Sequence, residues 1–225
     1  MLPSKTLRLA AATVSALALA LTAVGCGSSG AGTGSSDSPA EISVDKANTP
    51  YQGTPLEQPF AKPDVTLTDT SGKPFDLRTR TKGRVTLLYF GYTHCPDVCP
   101  TTMSDLALAK QALPKADRKK VDVVMVTTDP DRDTPGHLRT WLDAMDKSFI
   151  GLTGRFEDIK AAARTIGADV AKPKKEKDGS VTVEHGAQVV AFSAADGKGH
   201  VLYTAGTSLA QFKHDMPLLV KGVRP

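Results

Sequence analysis

The stretch Val85-Thr86-Leu87-Leu88-Tyr89-Phe90-Gly91-Tyr92-Thr93-His94-Cys95-Pro96-Asp97-Val98-Cys99-Pro100 decides how this chain folds. Its first six residues are a near-continuous apolar run, the pattern of a central strand buried on both faces. Two cysteines follow at once, four residues apart. Beyond them Leu106, Ala109 and Leu113 recur at helical spacing and stop before Pro114. Strand, loop and helix in that order put the cysteines at the carboxyl end of a buried strand, where open α/β sheets place their sites.

Working outward, Val121–Thr127 reads as a second buried strand, and Asp133-Thr134-Pro135 as a helix start with Pro at the first position. Leu138, Trp141, Leu142 and Met145 continue that helix, and another spans 156–166. Residues 65–68 and 74–77 flank Ser71-Gly72-Lys73 as an N-terminal hairpin, and 189–192 and 201–203 form a second around Asp196-Gly197-Lys198-Gly199. A last helix covers 208–220. Alternating strands and helices followed by a hairpin and a helix describe an α/β protein: a mixed sheet with flanking helices, its early strands parallel. Residues 55–63 read as an extended lead-in, and Asp131, Arg132 and Asp133 as a solvent-exposed charged turn. The charged run 173–179 reads as a solvated loop or protruding hairpin, with a docking surface for a partner as the alternative.

At 225 residues the chain suits one domain with appendages. Lys5 and Arg8 precede the apolar run Leu9–Val24, about 16 residues long and short of the roughly 20 a membrane-spanning helix needs. This is a signal-peptide pattern over residues 1–25. Cys26 closes it after Ala23-Val24-Gly25, which resembles a bacterial lipobox and implies lipidation of Cys26, with a cleaved, non-lipidated signal or a retained anchor as the alternatives. The expected location is therefore the extracytoplasmic side of the cell membrane. Residues 26–59 read as a lipidated Cys and tether, rich in Gly, Ser, Ala and Thr; the folded domain is expected over 60–222. Removing Lys5 and Arg8 lowers the formal charge from +4 to +2, too little to argue for nucleic acid.

Three uses of Cys95 and Cys99 compete. A structural disulfide is feasible, since such spacing brings Cα atoms to about 6 Å, but it would close a very short loop. A redox dithiol normally uses Cys-x-x-Cys, and here three residues intervene. As metal ligands, two thiolates select a soft ion such as Cu(I); structural zinc would want four protein ligands. Of five histidines, His137, His200 and His214 read as surface residues. The ring of His94, beside Cys95, is expected to point away from the sulfurs. His185 follows a short alternating stretch and precedes the buried strand at Val189, a junction that a thioredoxin-like sheet brings beside the cysteine loop.

Residues 92–100 are similar to the signature of the Sco/SenC family of copper-binding assembly factors. Thr128-Asp129-Pro130-Asp131-Arg132-Asp133-Thr134-Pro135 resembles that family's second block, and Val183-Glu184-His185 its third, with Glu184 where Asp is usual and Gly186 where Ser or Thr is commoner. The resemblance covers roughly residues 60–220. It implies a thioredoxin-like fold with an inserted hairpin over 172–183, ahead of the strand that follows His185. It implies copper, Cu(I) or Cu(II), held by Cys95, Cys99 and His185. It also implies a role in assembling the dinuclear copper centre of cytochrome c oxidase, with the copper-receiving oxidase subunit and another copper donor as partners. Oxidation to a Cys95–Cys99 disulfide would release the ion. Asp97 and Asp129 are candidates to orient His185, although a helix start for Asp97 and ordinary turn chemistry for Asp129 are the stronger readings. The competing function is a thiol-disulfide oxidoreductase that keeps oxidase cysteines reduced; a peroxide-reducing protein fits the spacing poorly.

Overall fold

The computed structural model describes residues 49–175, 181–182 and 186–225. The expected signal segment, Cys26, most of the tether, Glu184 and His185 lie outside the described residues. In chain order the elements are β1 (Thr54–Ala61), β2 (Thr66–Asp69), β3 (Pro74–Asp76), α1 (Leu77–Arg80), β4 (Val85–Gly91), α2 (Val98–Ala112) and α3 (Lys115–Arg118). Then come β5 (Val121–Thr127), α4 (Pro135–Asp143), β6 (Ile150–Thr153), α5 (Phe156–Arg164), β7 (Lys174–Lys175), β8 (Val181–Thr182), β9 (Val189–Phe192), β10 (Lys198–Tyr203) and α6 (Leu209–Lys221).

Eight strands form one mixed sheet in the order β1-β10-β9-β4-β5-β6-β2-β3. The apolar runs at 85–91 and 121–127 become its centre because both are buried along their whole length. They pair in parallel from Val85 opposite Val121 to Gly91 opposite Thr127, as expected, and β6 extends the parallel set. On the other side of β4, β9 runs antiparallel with Val189 opposite Tyr89. Both expected hairpins form: β2 with β3, and β9 with β10. Gly72 takes a φ of 79° in the first turn, a conformation that costs glycine little. The 172–183 region contains the antiparallel pair β7–β8, the expected inserted hairpin.

Strand alternation divides the core. Val85, Leu87 and Tyr89 of β4 face one layer with α2, α4 and α6 residues, among them Met103, Leu138 and Phe212. Leu88 and Phe90 face the other, with Phe75, Ile159 and Ala163. One expectation needs correcting. The lead-in over 55–63 is largely β1, which starts at Thr54 inside the expected tether and pairs antiparallel with β10. Leu56 and Phe60 are buried there and even Tyr51 is covered, so the edge strand is held by packing that its irregular pattern, broken by Pro55 and Pro59, conceals.

Candidate metal centre

The centre is built where β4 ends. A Cβ on Gly91 would lie 2.5 Å from Tyr89 Cε1 and 3.0 Å from Cys99 Sγ, so only glycine lets the strand pass beneath that sulfur. Pro96 and Asp97 turn the chain into α2, whose N-cap, Asp97, makes no side-chain capping bond. Cys95 takes part of that role: its Sγ accepts from the Cys99 backbone N–H at 3.4 Å. Pro100 is harmless in the first turn, where N–H groups lack helical partners.

The two sulfurs are not joined in a disulfide and lie at different depths. Cys95 is half-buried. Desolvation opposes its ionisation, but the backbone N–H groups of Asp97, Cys99 and Val98 and the Cys99 thiol outweigh it, holding the Cys95 pKa below the ordinary thiol value. The amino end of a 15-residue helix favours a thiolate in the same way. Cys99 is fully buried beneath it. Burial pushes its pKa to about 12, against the opposing hydrogen bond that Tyr89 Oη donates to Cys99 Sγ at 3.2 Å. Desolvation first, and then the charge on the two sulfurs, raises the phenols of Tyr89 and Tyr92.

The three acidic positions sit in different environments, and one of them departs from the sequence reading. Asp97 is exposed and contributes its backbone N–H, not its carboxylate, to Cys95. Asp129 is buried, ion-paired to Arg132, and its N–H bonds Thr127 Oγ1 at 3.0 Å. Asp133 is fully buried, correcting its assignment to an exposed turn. It accepts from Thr93 N (2.9 Å), Thr93 Oγ1 (2.5 Å) and Thr127 Oγ1 (2.6 Å), tying the cysteine loop to β5. A short polar residue before Thr-Pro reads equally well as a cap, and no sequence signal separates that role from a buried anchor. The cap is in fact Thr134, which accepts from the His137 N–H.

Among the histidines, His94 turns toward Asp133, its Nδ1 3.4 Å from Oδ1. His137 is exposed, yet its Nε2 lies 2.9 Å from Thr93 Oγ1. His200 and His214 pair with Asp196 and Asp215, each at 2.8 Å. Gly186, next after His185 in sequence, donates its N–H to Asp169 O at 3.1 Å, and β9 begins three residues later with Val189 opposite Tyr89.

A thioredoxin-like sheet carrying a half-buried thiol and a buried thiol at the carboxyl end of its central strand defines a dithiol protein of the metal-binding or redox type. The family model described as SCO1/SenC matches residues 53–216, and the chain belongs to that family. A Stutzerimonas stutzeri protein named for copper binding is 38% identical over 148 residues, 65% of this chain and 71% of its own. Saccharomyces cerevisiae SCO2, a mitochondrial protein, is 34% identical over 131 residues; the match spans 58% of this chain and 42% of that one. Bradyrhizobium japonicum ScoI, solved with copper bound, superposes with a TM-score of 0.60 at 31% identity, covering 71% of this chain and 96% of that structure.

Proposed function

We propose that this chain is an extracytoplasmic, membrane-anchored copper chaperone that holds copper between Cys95 Sγ, Cys99 Sγ and the imidazole of His185. The observation that carries this reading is the pair of sulfurs at the head of α2, close enough for the Cys99 N–H to bond Cys95 Sγ. Two thiolates and an imidazole suit a soft copper ion, and a three-ligand site leaves a position through which an acceptor's ligands can enter. Loading requires the buried Cys99 thiol to release its proton to solvent as the sulfur binds the metal. Support for His185 comes from the strand that follows it: Val189 lies opposite Tyr89, two residues from Gly91, so three residues separate the histidine from the sheet beside the cysteines. Copper bound in Bradyrhizobium japonicum ScoI supports the choice of metal.

In this reading, residues 1–25 are removed, Cys26 carries the lipid, and the segment up to β1 tethers the domain to the membrane. A Bacillus anthracis SCO1/SenC family lipoprotein with the same fold, 26% identical, supports the anchor. Among the described residues no helix is long and apolar enough to cross a membrane. Cys26→Ala is expected to move the protein from the membrane fraction to the soluble one. The copper is passed to an oxidase subunit during assembly of its dinuclear centre, and another copper donor loads the site.

The test is one equivalent of Cu(II) added to the reduced full chain, read by thiolate-to-copper charge-transfer absorption. The band is expected in the unsubstituted chain and lost in Cys99→Ala; a band that survives that substitution defeats the copper reading. The asymmetry of the two thiols favours a second reading, a thiol-disulfide reductase in which Cys95 attacks a substrate disulfide and Cys99 then displaces the reduced product, leaving Cys95–Cys99 oxidised. A reductase tolerates His185→Ala, whereas a copper donor does not.

A further inference from the structure

One face of the cysteine loop carries a second group of ligating side chains. His94, Asp133 and His137 bring three potential ligand atoms within 4.8 Å of one another, and among the described residues neither sulfur belongs to the group. The fold assembles it from two places: His94 follows β4, while Asp133 and His137 flank the start of α4. The two imidazoles stack with centroids 5.2 Å apart and planes 22° apart.

The hydrogen bonds show how the group is held. Thr93 Oγ1 donates its one proton to Asp133 Oδ1. It therefore only accepts from the rings, and both His94 Nδ1 (3.1 Å) and His137 Nε2 (2.9 Å) lie within bonding distance of it. Two ring nitrogens thus converge on one hydroxyl at the edge of a fully buried carboxylate. Among the described residues, His94 is the one ion-pairing partner of Asp133, because Arg132 is committed to Asp129. Asp133 Oδ1 takes a single hydrogen bond and keeps a second lone-pair direction, with His94 Nδ1 at 3.4 Å.

We propose that His94 Nδ1, His137 Nε2 and Asp133 Oδ1 form a second cation site, for Zn²⁺ or Cu²⁺, that clamps the cysteine loop to the head of α4. Two imidazoles and a carboxylate suit these borderline ions; calcium and magnesium prefer all-oxygen shells, and Cu(I) prefers sulfur. Ligand bonds of about 2.0–2.1 Å in a tetrahedron separate donor atoms by about 3.4 Å. The His94–Asp133 distance already matches, and the exposed His137 ring closes the remaining gap by a side-chain rotation; on binding, each neutral ring carries its N–H proton on its other nitrogen and gives up its bond to Thr93 Oγ1. The positive end of α4 opposes a cation there, and the adjacent Asp133 charge offsets it. Three protein ligands leave a fourth position for water. The site does not rest on the copper reading above, since it uses none of those ligands.

The test removes the first site. Full-length chain carrying Cys95→Ser, Cys99→Ser and His185→Ala is titrated with Zn²⁺ against a chromophoric chelator. One equivalent is expected to bind, with affinity falling at least about tenfold on adding either His137→Ala or His94→Ala. In the chain with its cysteines intact, His137→Ala is expected to remove one zinc equivalent, which keeps the test valid should the triple variant not fold. Either no zinc bound in the folded triple variant, or loss of zinc with His200→Ala or His214→Ala instead, overturns the proposal. Neither result bears on copper charge transfer at Cys95 and Cys99.

Discussion

Four residues of separation would leave two cysteines equivalent on a regular surface; here the turn into α2 places them at different depths. Cys95 sits among backbone donors at the helix head, and Cys99 sits under it against Tyr89 and Gly91. Iodoacetamide at neutral pH is therefore expected to alkylate Cys95 well before Cys99, as read by peptide mass mapping. Because the Cys95 pKa lies below the usual thiol value and that of Cys99 near 12, the Cys95 rate levels off first as pH rises, while the Cys99 rate is still climbing at pH 10. Equal rates would show that the burial difference does not persist in solution. Gly91→Ala places a methyl group where Tyr89 and Cys99 already stand, an overpacking that costs about 1–3 kcal/mol and lowers the melting temperature.

Elements are joined at the site by Asp133. A single carboxylate accepts from the backbone and hydroxyl of Thr93 in the cysteine loop and from Thr127 at the end of β5. Thr128 N–H reinforces the junction by bonding Gly91 O at 2.8 Å. Asp133→Asn exchanges one acceptor oxygen for an amide that faces donors. A loss of about 2–4 kcal/mol in urea unfolding is expected, larger than for a surface Asp such as Asp131. An unchanged midpoint would mean that the loop is held without it. This anchor escaped the sequence reading because the burial of Asp133 is decided by β4, β5 and α4 together.

Across the whole molecule, single buried polar groups tie the edge strand and terminal helix to the sheet. Asp215 of α6 accepts from the backbone N–H groups of Gln52 and Gly53 and from Tyr203 Oη. Just past β1, Lys62 reaches Thr81 and Thr86 with its Nζ 5.3 Å from the Phe192 ring centre, and burial lowers its pKa to about 8 from 10.5. Below pH 8 both folded and unfolded states carry that proton, and the folded state bears the cost of burying it. Between 8 and 10.5 the unfolded state binds more protons, so this group's contribution to stability rises with pH. Lys62→Met is expected to exceed the unsubstituted protein in stability at pH 7 by about 1–3 kcal/mol, with the gap closing toward pH 10.5. A gap that widens over that range would reverse the assignment.

By itself the sequence determined the central parallel strands, both hairpins, the main helices and the cysteine loop, because apolar runs and turn residues report local periodicity directly. It also carried the family, through three ordered blocks. Only the tertiary structure decided that β1 completes the sheet, that Cys95 and Cys99 differ in acidity, and that Asp133 is buried with His94 and His137 gathered at its edge. Those properties depend on how far each group is removed from water and on which distant donors surround it. Packing between segments sets both quantities, and no spacing along one segment encodes them.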